Sequence, residues 1–379
     1  MAKFNLIAII FLSGIVLSCS SGKKQLERGD YYDAVIKAVE RLRKNPDNKK
    51  SRETLKLAYP LAIQYYQGEL GNIASSNRQF KWGETVRIYE TINRMGDEIR
   101  RSPGALSIIK NPDRYSSKLT EAKQKAAEES YAAGMRLINE YDRNASKDAY
   151  YRFQDADRYV PGYKNVRQQL PLAKEYATLK VVIEQIPVRG RYSVSADFFQ
   201  DQVEGFLRNG IRNEFVRFYT PREADQNQLN DIDQIISIYF DDFVVGQVAY
   251  SKETKEYTRD SVVVGEVIID GEKRDVFGTV SADLTVNRAE VISQGLLAMR
   301  VLEADNNAVV ISDKFPGSFT WFVEWGSFNG DDRALSKDQL RICRLQFTPP
   351  PSNQDMFIEF TRPIYGQLTS RLQRFYRNY

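Results

Sequence analysis

Histidine is absent from this chain, and its absence limits the chemistry that the sequence can support. Without an imidazole, the chain cannot assemble a Ser-His-Asp triad or a Cys-His nucleophile. An HExxH zinc site and a histidine proton shuttle are excluded for the same reason. Any catalysis would have to use carboxylate, lysine or tyrosine side chains. The sequence therefore favours a protein that is not an enzyme, and it predicts no catalytic residue, no metal site and no cofactor.

Two groups of carboxylates are the remaining candidates for acid–base chemistry. Asp241 and Asp242 are adjacent within a strand pattern, so they would point to opposite faces unless a β-bulge turns one of them. Glu324 lies between Val323 and Trp325, whose apolar side chains could raise its pKa. A glycosidase needs a second carboxylate at a set distance, and the sequence supplies none beside Glu324. Solvated strand positions are the simpler interpretation of all three.

A row of large apolar side chains recurs at every second residue near the C-terminal third of the chain. Phe319, Trp321, Val323 and Trp325 would share one face of a strand. Such a row could stack on sugar rings or on a peptide, and we take Trp321 and Trp325 as candidate binding residues. The alternative is that the row packs against a helix as part of the core.

The first residues have the organisation of a secretory signal. Lys3 provides positive charge, residues 6–16 are almost wholly apolar, and small residues precede Cys19. The apolar run is too short to span a membrane, which takes about 20 residues. Residues 16–19, with the sequence Val-Leu-Ser-Cys, resemble a bacterial lipobox.

The lipobox resemblance implies cleavage after Ser18 and acylation of Cys19, so that residues 1–18 are a signal peptide and residues 19–24 a lipid-anchored tether. The lipid bilayer would then be a partner through Cys19. Ser20 follows the cysteine, and no aspartate marks retention in the inner membrane. We therefore expect an outer-membrane protein that faces the periplasm. The alternative is an ordinary signal peptide with an incidental cysteine.

Residues 25–177 are predicted to form helical hairpins. One predicted helix ends near Lys44, before Pro46, with small or apolar residues spaced four apart at Ala34, Ala38 and Leu42. A second begins at Trp82, and residues 51–67 and 131–141 would be partner helices. The best copy of the pattern has small, aromatic, small and proline residues at these positions: Ala149, Phe153, Ala156 and Pro161.

These offsets of four, seven and twelve resemble the tetratricopeptide repeat, although the copies are spaced more widely than its usual 34 residues and Arg41 occupies a position where the repeat has a small residue. The resemblance implies stacked helical hairpins, and a plain irregular helical bundle is the alternative. If Cys19 is acylated, Cys343 has no disulfide partner and is expected to be a small buried residue.

Residues 178–379 are predicted to form an α+β domain with a mostly antiparallel sheet. A strand of alternating burial would begin at residue 179, and a helix capped by Ser195 would bury Phe198. Asp270 and Gly271 are suited to a type I′ hairpin turn. Separate strands are predicted over residues 235–250, 262–269, 276–286, 296–303, 319–325 and 356–360.

Ser336 and Gln339 form a predicted capping box, and residues 364–375 have the apolar spacing of an amphipathic C-terminal helix. The order of elements resembles small α+β domains of other envelope lipoproteins. Residues 325–335 resemble uncharacterised exported proteins of Bacteroidetes-type bacteria, and neither resemblance implies a function.

The balance of charge and the lack of catalytic groups together set the functional expectation. A net charge of +4, from 54 basic and 50 acidic residues, gives no reason to expect nucleic acid binding. We expect a non-enzymatic scaffold or adaptor lipoprotein that binds envelope proteins in assembly or transport, because stacked helical repeats present protein-binding grooves. The alternatives are a cell-wall glycan-binding module and, third, a carboxylate-dependent glycan-cleaving enzyme.

Overall fold

The computed structural model describes residues 22–187 and 193–379. The predicted signal peptide and Cys19 therefore lie outside the described residues. The chain divides into two compact units that meet between Ala177 and Thr178.

The first unit is built from helices. They are α1 (Lys23–Glu27), α2 (Tyr31–Lys44), α3 (Lys49–Ser75), α4 (Lys81–Arg100), α5 (Pro103–Leu106), α6 (Ser116–Ile138), α7 (Arg143–Tyr159) and α8 (Val166–Ala177). α1 already begins at Lys23, inside the segment expected to be a tether.

Local signals set most helix ends in this unit. α2 ends at Lys44 as predicted, because Asn45 has extended backbone ahead of Pro46. α3 begins earlier and ends later than the predicted residues 51–67. Its start is fixed by Asn48, whose side chain accepts a hydrogen bond from the Ser51 N–H, and the helix continues through Pro60.

Helices α6 and α7 pack through small residues. Ala149, Phe153 and Ala156 of α7 are fully buried. Gly134 of α6 lies so close that a Cβ atom there would be 2.7 Å from Cε1 of Phe153. The predicted offsets of four and seven therefore describe real helix packing, whereas the assignment to the repeat family stays a prediction.

The second unit has the predicted α+β class. Its elements are β1 (Leu179–Ile183), α9 (Ser193–Gly210), β2 (Val216–Tyr219), α10 (Pro221–Gln226), β3 (Gln234–Ile269), β4 (Glu272–Glu303), β5 (Val309–Gly330), a 3₁₀ turn (Asp332–Ala334), α11 (Lys337–Ile342) and α12 (Asn353–Tyr376).

The sheet is mixed, with strand order β2-β1-β3-β4-β5. β1 pairs in parallel with both β2 and β3, while the long pairings of β3 with β4 and of β4 with β5 are antiparallel. β1 is buried along its whole length, so the alternation predicted for it is absent. A strand between two parallel neighbours is covered on both faces, which explains that burial.

The central hairpin is longer than predicted. Segments that the sequence predicts as separate strands join into β3 and β4, and the pairing register of the two strands shifts at β-bulges. Between them, Asp270 and Gly271 have φ of 54° and 83°, which confirms the type I′ turn.

Besides the alternation of β1, other predictions for this unit are wrong. The helix α9 begins at Ser193, so Ser195 lies inside it and is not its cap. Residues 356–360 are the first turns of α12, because Ser352 caps the helix by accepting from the Asp355 N–H and the apolar side chains follow helical spacing. Residues 296–303 are the end of β4 and form no separate strand. Phe198 is 48% exposed, because Phe199 and Val203 are the residues of α9 that face the core.

Two cores form on opposite faces of this sheet. On one face, Leu207 of α9 and Leu368 of α12 pack with Met299 of β4 in the main core. On the other face, Leu284 packs with Leu335 in a smaller core, and the half-buried Cys343 lies at its margin. The capping box of Ser336 and Gln339 is confirmed at the start of α11, which covers this second face.

Candidate functional site

The two adjacent aspartates are separated by the structure. A β-bulge lies between Phe240 and Asp242, and Asp241 makes an ion pair with Lys314. The hydrogen bond from Lys314 to Asp241 raises the pKa of the lysine. Asp242 lines an open cavity of about 600 Å³, and Asp241 does not line it. The bulge therefore does not bring the two carboxylates together as an acid–base pair.

Glu324 belongs to an ion-pair group on the sheet. Arg288 of β4 binds Glu324 at 3.1 Å and Glu290 at 3.0 Å. These hydrogen bonds raise the pKa of Arg288, whose guanidinium also lies 4.2 Å from the ring centre of Phe322. Both carboxylates are bound by one guanidinium, an arrangement that suits a cross-strand structural contact. The sequence did not reveal the partners of Glu324, since they come from another strand.

The aromatic row lies on one face of β5, as predicted, and it is partly covered. Phe319 packs against the main core. Trp321 is half-buried, and the ring of Trp325 makes an edge contact with Phe347 at 5.2 Å between centroids. Phe347 comes from the segment between α11 and α12, and nothing in the strand pattern pointed to it. All four side chains of the row are half-buried, so the row is partly a packing surface and partly accessible.

A cavity of about 310 Å³ lies in the first unit. Trp82 and Tyr89 of α4 line it together with Leu70 of α3 and Lys118 of α6. Lys125 does not line this cavity, but its ammonium lies 4.3 Å from the ring centre of Trp82. The sequence placed Trp82 on a helix without indicating this cavity, because its walls come from three helices.

The most exposed apolar surface of the second unit is the end of the central hairpin. β5 ends where Gly330 pairs with Ala282, so residues 262–278 form a ribbon of only two strands. We call residues 262–278 the hairpin tip. Ile268 is 70% exposed and Phe277 is 62% exposed. Other exposed apolar side chains of the tip are Val263, Val264, Val267, Ile269 and Val276.

Both faces of the hairpin tip carry these side chains. Val263 and Phe277 form a cross-strand pair on one face, and Val267 and Val276 lie on the other. A two-stranded ribbon has little stability of its own, and grouped exposed apolar side chains mark surfaces that contact other molecules. The sequence contained the signal, in apolar residues on both faces of a strand, but it did not show that no third strand of the described chain covers them.

Neither metal sites nor membrane spans appear among the residues that the structure describes. Over residues 22–187 and 193–379, no three or more Cys, Asp or Glu side chains are grouped so as to hold a metal ion. Within the same ranges, no helix is long and apolar enough to cross a bilayer.

Comparisons with known proteins identify no family for this chain. No protein-family model matches it, and no curated protein matches it. One solved structure that it resembles is described as a homolog of a neuraminyllactose-binding hemagglutinin from Helicobacter pylori. The two chains are 10% identical, and the match covers 53% of this chain and 91% of the other with a TM-score of 0.23. At that TM-score the likeness supports no inference about fold or function.

Proposed function

We propose that this protein is a non-enzymatic adaptor lipoprotein of the bacterial envelope that binds a protein partner through the hairpin tip. The observation that carries the proposal is the exposure of apolar side chains on both faces of residues 262–278. Full burial of one large apolar side chain is worth about 1.5–3 kcal/mol, so a partner that covers several of them gains affinity from this surface.

The shape of the tip favours a protein partner. Its side chains project from both faces of a narrow ribbon, which suits insertion into a groove or between two elements of another protein. The tip also carries both signs of charge, for example Lys273 paired with Glu266 at 2.8 Å. Mixed charge around an apolar centre is typical of protein interfaces, in which a polar rim surrounds the apolar contacts.

The proposed location is the periplasmic face of the outer membrane. It depends on acylation of Cys19, as the lipobox resemblance implies, and on Ser20 as the following residue. The anchor would hold the protein at the membrane surface, where the helical unit of residues 25–177, proposed to be tetratricopeptide-like, offers a second surface for envelope proteins.

Glycan binding is the second candidate, and it depends on the aromatic row. Trp321 and Trp325 are both half-buried, and the ring of Trp325 makes an edge contact with Phe347. A sugar platform needs a ring face open to solvent, so the partial burial of both tryptophans, beside the greater exposure of Ile268 and Phe277, favours the protein partner over the glycan.

Affinity capture from membranes tests the proposal. The tip variant replaces Ile268 and Phe277 with Asp, which adds charge to two exposed positions without disturbing either core. The control variant replaces Leu57, which is 59% exposed on α3, with Asp. Each protein is captured in detergent from cells, with and without digestion of the cell wall, and the captured proteins are quantified by mass spectrometry.

We expect one or a few proteins to be captured by the wild type and by the Leu57→Asp variant, before and after wall digestion, and to be lost with the tip variant. Equal capture by all three proteins would refute a role for the tip. Capture that disappears on wall digestion and on Trp321→Ala, but not in the tip variant, would support the glycan alternative.

A further inference from the structure

The free edge of β3 is a second surface of the central hairpin, separate from the tip. β3 pairs with β1 only as far as Ile236, and in the described part of the chain no strand pairs with that edge beyond this residue. Residues 247–259 pair with β4 without a bulge, so the strand is regular there. A long regular edge with unpaired backbone groups is a template for a strand of another chain.

The residues at the middle of this edge have a charge pattern that complements itself. We call residues 252–256, with the sequence Lys-Glu-Thr-Lys-Glu, the charged edge segment. Read in the opposite direction, each lysine falls on a glutamate and each glutamate on a lysine. An antiparallel pairing of two copies centred on Thr254 therefore places Lys252 opposite Glu256 and Glu253 opposite Lys255.

These charges lack ion-pair partners in the described structure. All five residues of the segment are exposed. Their side-chain contacts are a hydrogen bond of 2.9 Å between the hydroxyls of Thr254 and Thr285, and the approach of Lys255 to the ring of Tyr257. Among residues 22–187 and 193–379, no other hydrogen bond or ion pair involves the four charged side chains.

The negative charge of Glu256 has an unfavourable neighbour within the chain, and a second copy would supply a favourable one. Glu256 lies directly opposite Asp283 of β4, and like charges in that position destabilise a sheet. In the antiparallel pairing, Lys252 of a second copy would lie on the other side of Glu256. The repulsion between Glu256 and Asp283 would then be offset by a lysine on the other side of Glu256.

We infer that two copies of this chain associate through β3, by antiparallel pairing of residues 249–259 around a two-fold axis at Thr254. The result is a continuous sheet across the two copies, with the same surface patch used by both partners, as a two-fold interface requires. The remaining pairs bring no like charges together, since Ala249 would face Arg259, Tyr250 would face Thr258 and Ser251 would face Tyr257.

The alternative explanation is that the charges keep other strands away from an exposed edge, as lysines on edge strands commonly do. The two explanations predict different effects of charge reversal. Charges that only repel would tolerate inversion in any pattern. Charges that pair must be complementary in one register, so a partial inversion weakens association and a complete inversion restores it.

Cysteine crosslinking tests the register. The protein from Ser20 to Tyr379 is prepared with Cys343→Ser, which removes its cysteine, and with either Thr254→Cys or Thr258→Cys. Both threonines are exposed on the same strand and on the same face. In the proposed register Thr254 meets its own copy, whereas Thr258 meets Tyr250 and lies far from its own copy.

We expect mild oxidation, or a short bismaleimide, to convert the Thr254→Cys protein to a covalent dimer while the Thr258→Cys protein stays monomeric. Equal crosslinking of the two variants would overturn the register, and absence of crosslinking in both would overturn the association.

Sedimentation equilibrium tests the charges. Replacing both lysines of the charged edge segment with Glu creates like-charge pairs, and we expect the dimer to weaken roughly tenfold or more in low salt. Inverting all four charges restores a self-complementary pattern and should restore the dimer. The fully inverted protein should not form mixed dimers with the wild type. A wild type that is monomeric, or a dimer that both charge variants leave unchanged, would overturn the inference.

Discussion

The contact between α12 and the edge strand β5 gives the sharpest structural prediction. Gly317 of β5 lies directly beneath α12. A Cβ atom at Gly317 would be 2.3 Å from the carbonyl oxygen of Phe360 and 2.6 Å from Cγ1 of Ile364. The nearest obstacle is helix backbone, which cannot rotate away as a side chain can. The Gly317→Ala variant must therefore displace α12 from the sheet.

The expected cost is at the upper end of the range for overpacking, about 3 kcal/mol. Gly265 of β3 provides the matched control, because no atom lies within 4 Å of a Cβ built there. Gly265→Ala should be neutral or stabilise by up to about 1 kcal/mol, since alanine lowers the entropy of the unfolded chain. The two variants make the same chemical change in the same sheet, so their difference isolates the contact with α12.

Tryptophan emission during urea unfolding measures the effect. The three tryptophans are Trp82, Trp321 and Trp325, so a Trp82→Phe background leaves both reporters on β5. With a slope of about 2 kcal/mol per M urea, a loss of 3 kcal/mol lowers the midpoint by about 1.5 M. If Gly317→Ala unfolds at the same urea concentration as Gly265→Ala, α12 does not pack on β5 as described.

Three further outcomes are expected. Ala156→Arg should unfold the first unit at a cost of several kcal/mol, because Ala156 is fully buried. Limited proteolysis of this variant should leave a stable C-terminal fragment. The control variant Ala132→Arg, at an exposed position, should resist proteolysis as the wild type does. Joint digestion of both units would contradict this. Tyr376, whose hydroxyl donates to Gln234 at 3.2 Å, has a pKa raised by burial above its usual 10.0. The hydroxyl of Tyr376 therefore contributes fully to the free energy of unfolding below pH 10, and its contribution declines as the pH rises above 10. The stability difference between the wild type and Tyr376→Phe, about 1 kcal/mol at pH 7, should shrink towards pH 11. A difference in urea midpoint that stays constant with pH would refute this prediction. Cys19→Ala should abolish partitioning into detergent, and a variant that still partitions like the wild type would show that lipidation is not the anchor.

Local features of the fold could be read from the sequence. The turn at Asp270 and Gly271 is set by two adjacent residues, and the capping box of Ser336 and Gln339 spans only four residues, so both signals are local. The apolar run of residues 356–360 wrongly predicts a strand, because a short buried helix segment and a strand have the same composition. Its cap at Ser352 separates the two, and that signal was available in the sequence.

The candidate surfaces were harder to predict, because they depend on what covers a residue. Trp325 was placed on the correct face of its strand, but its cover, Phe347, comes from a separate segment. The hairpin tip is exposed because β5 ends at Gly330, a fact about a third strand that the alternation in residues 262–278 does not contain. The free edge of β3 likewise follows from how short β1 is.

Photo-crosslinking in living cells tests whether the hairpin tip contacts a protein partner. A photoreactive phenylalanine analogue is placed at Ile268, at Phe277, or at the exposed control position Leu57, and cells are irradiated before solubilisation. We expect a discrete crosslinked protein from both tip positions and not from Leu57. Crosslinking from Leu57 alone, or no protein adduct from either tip position in correctly localised protein, would contradict it.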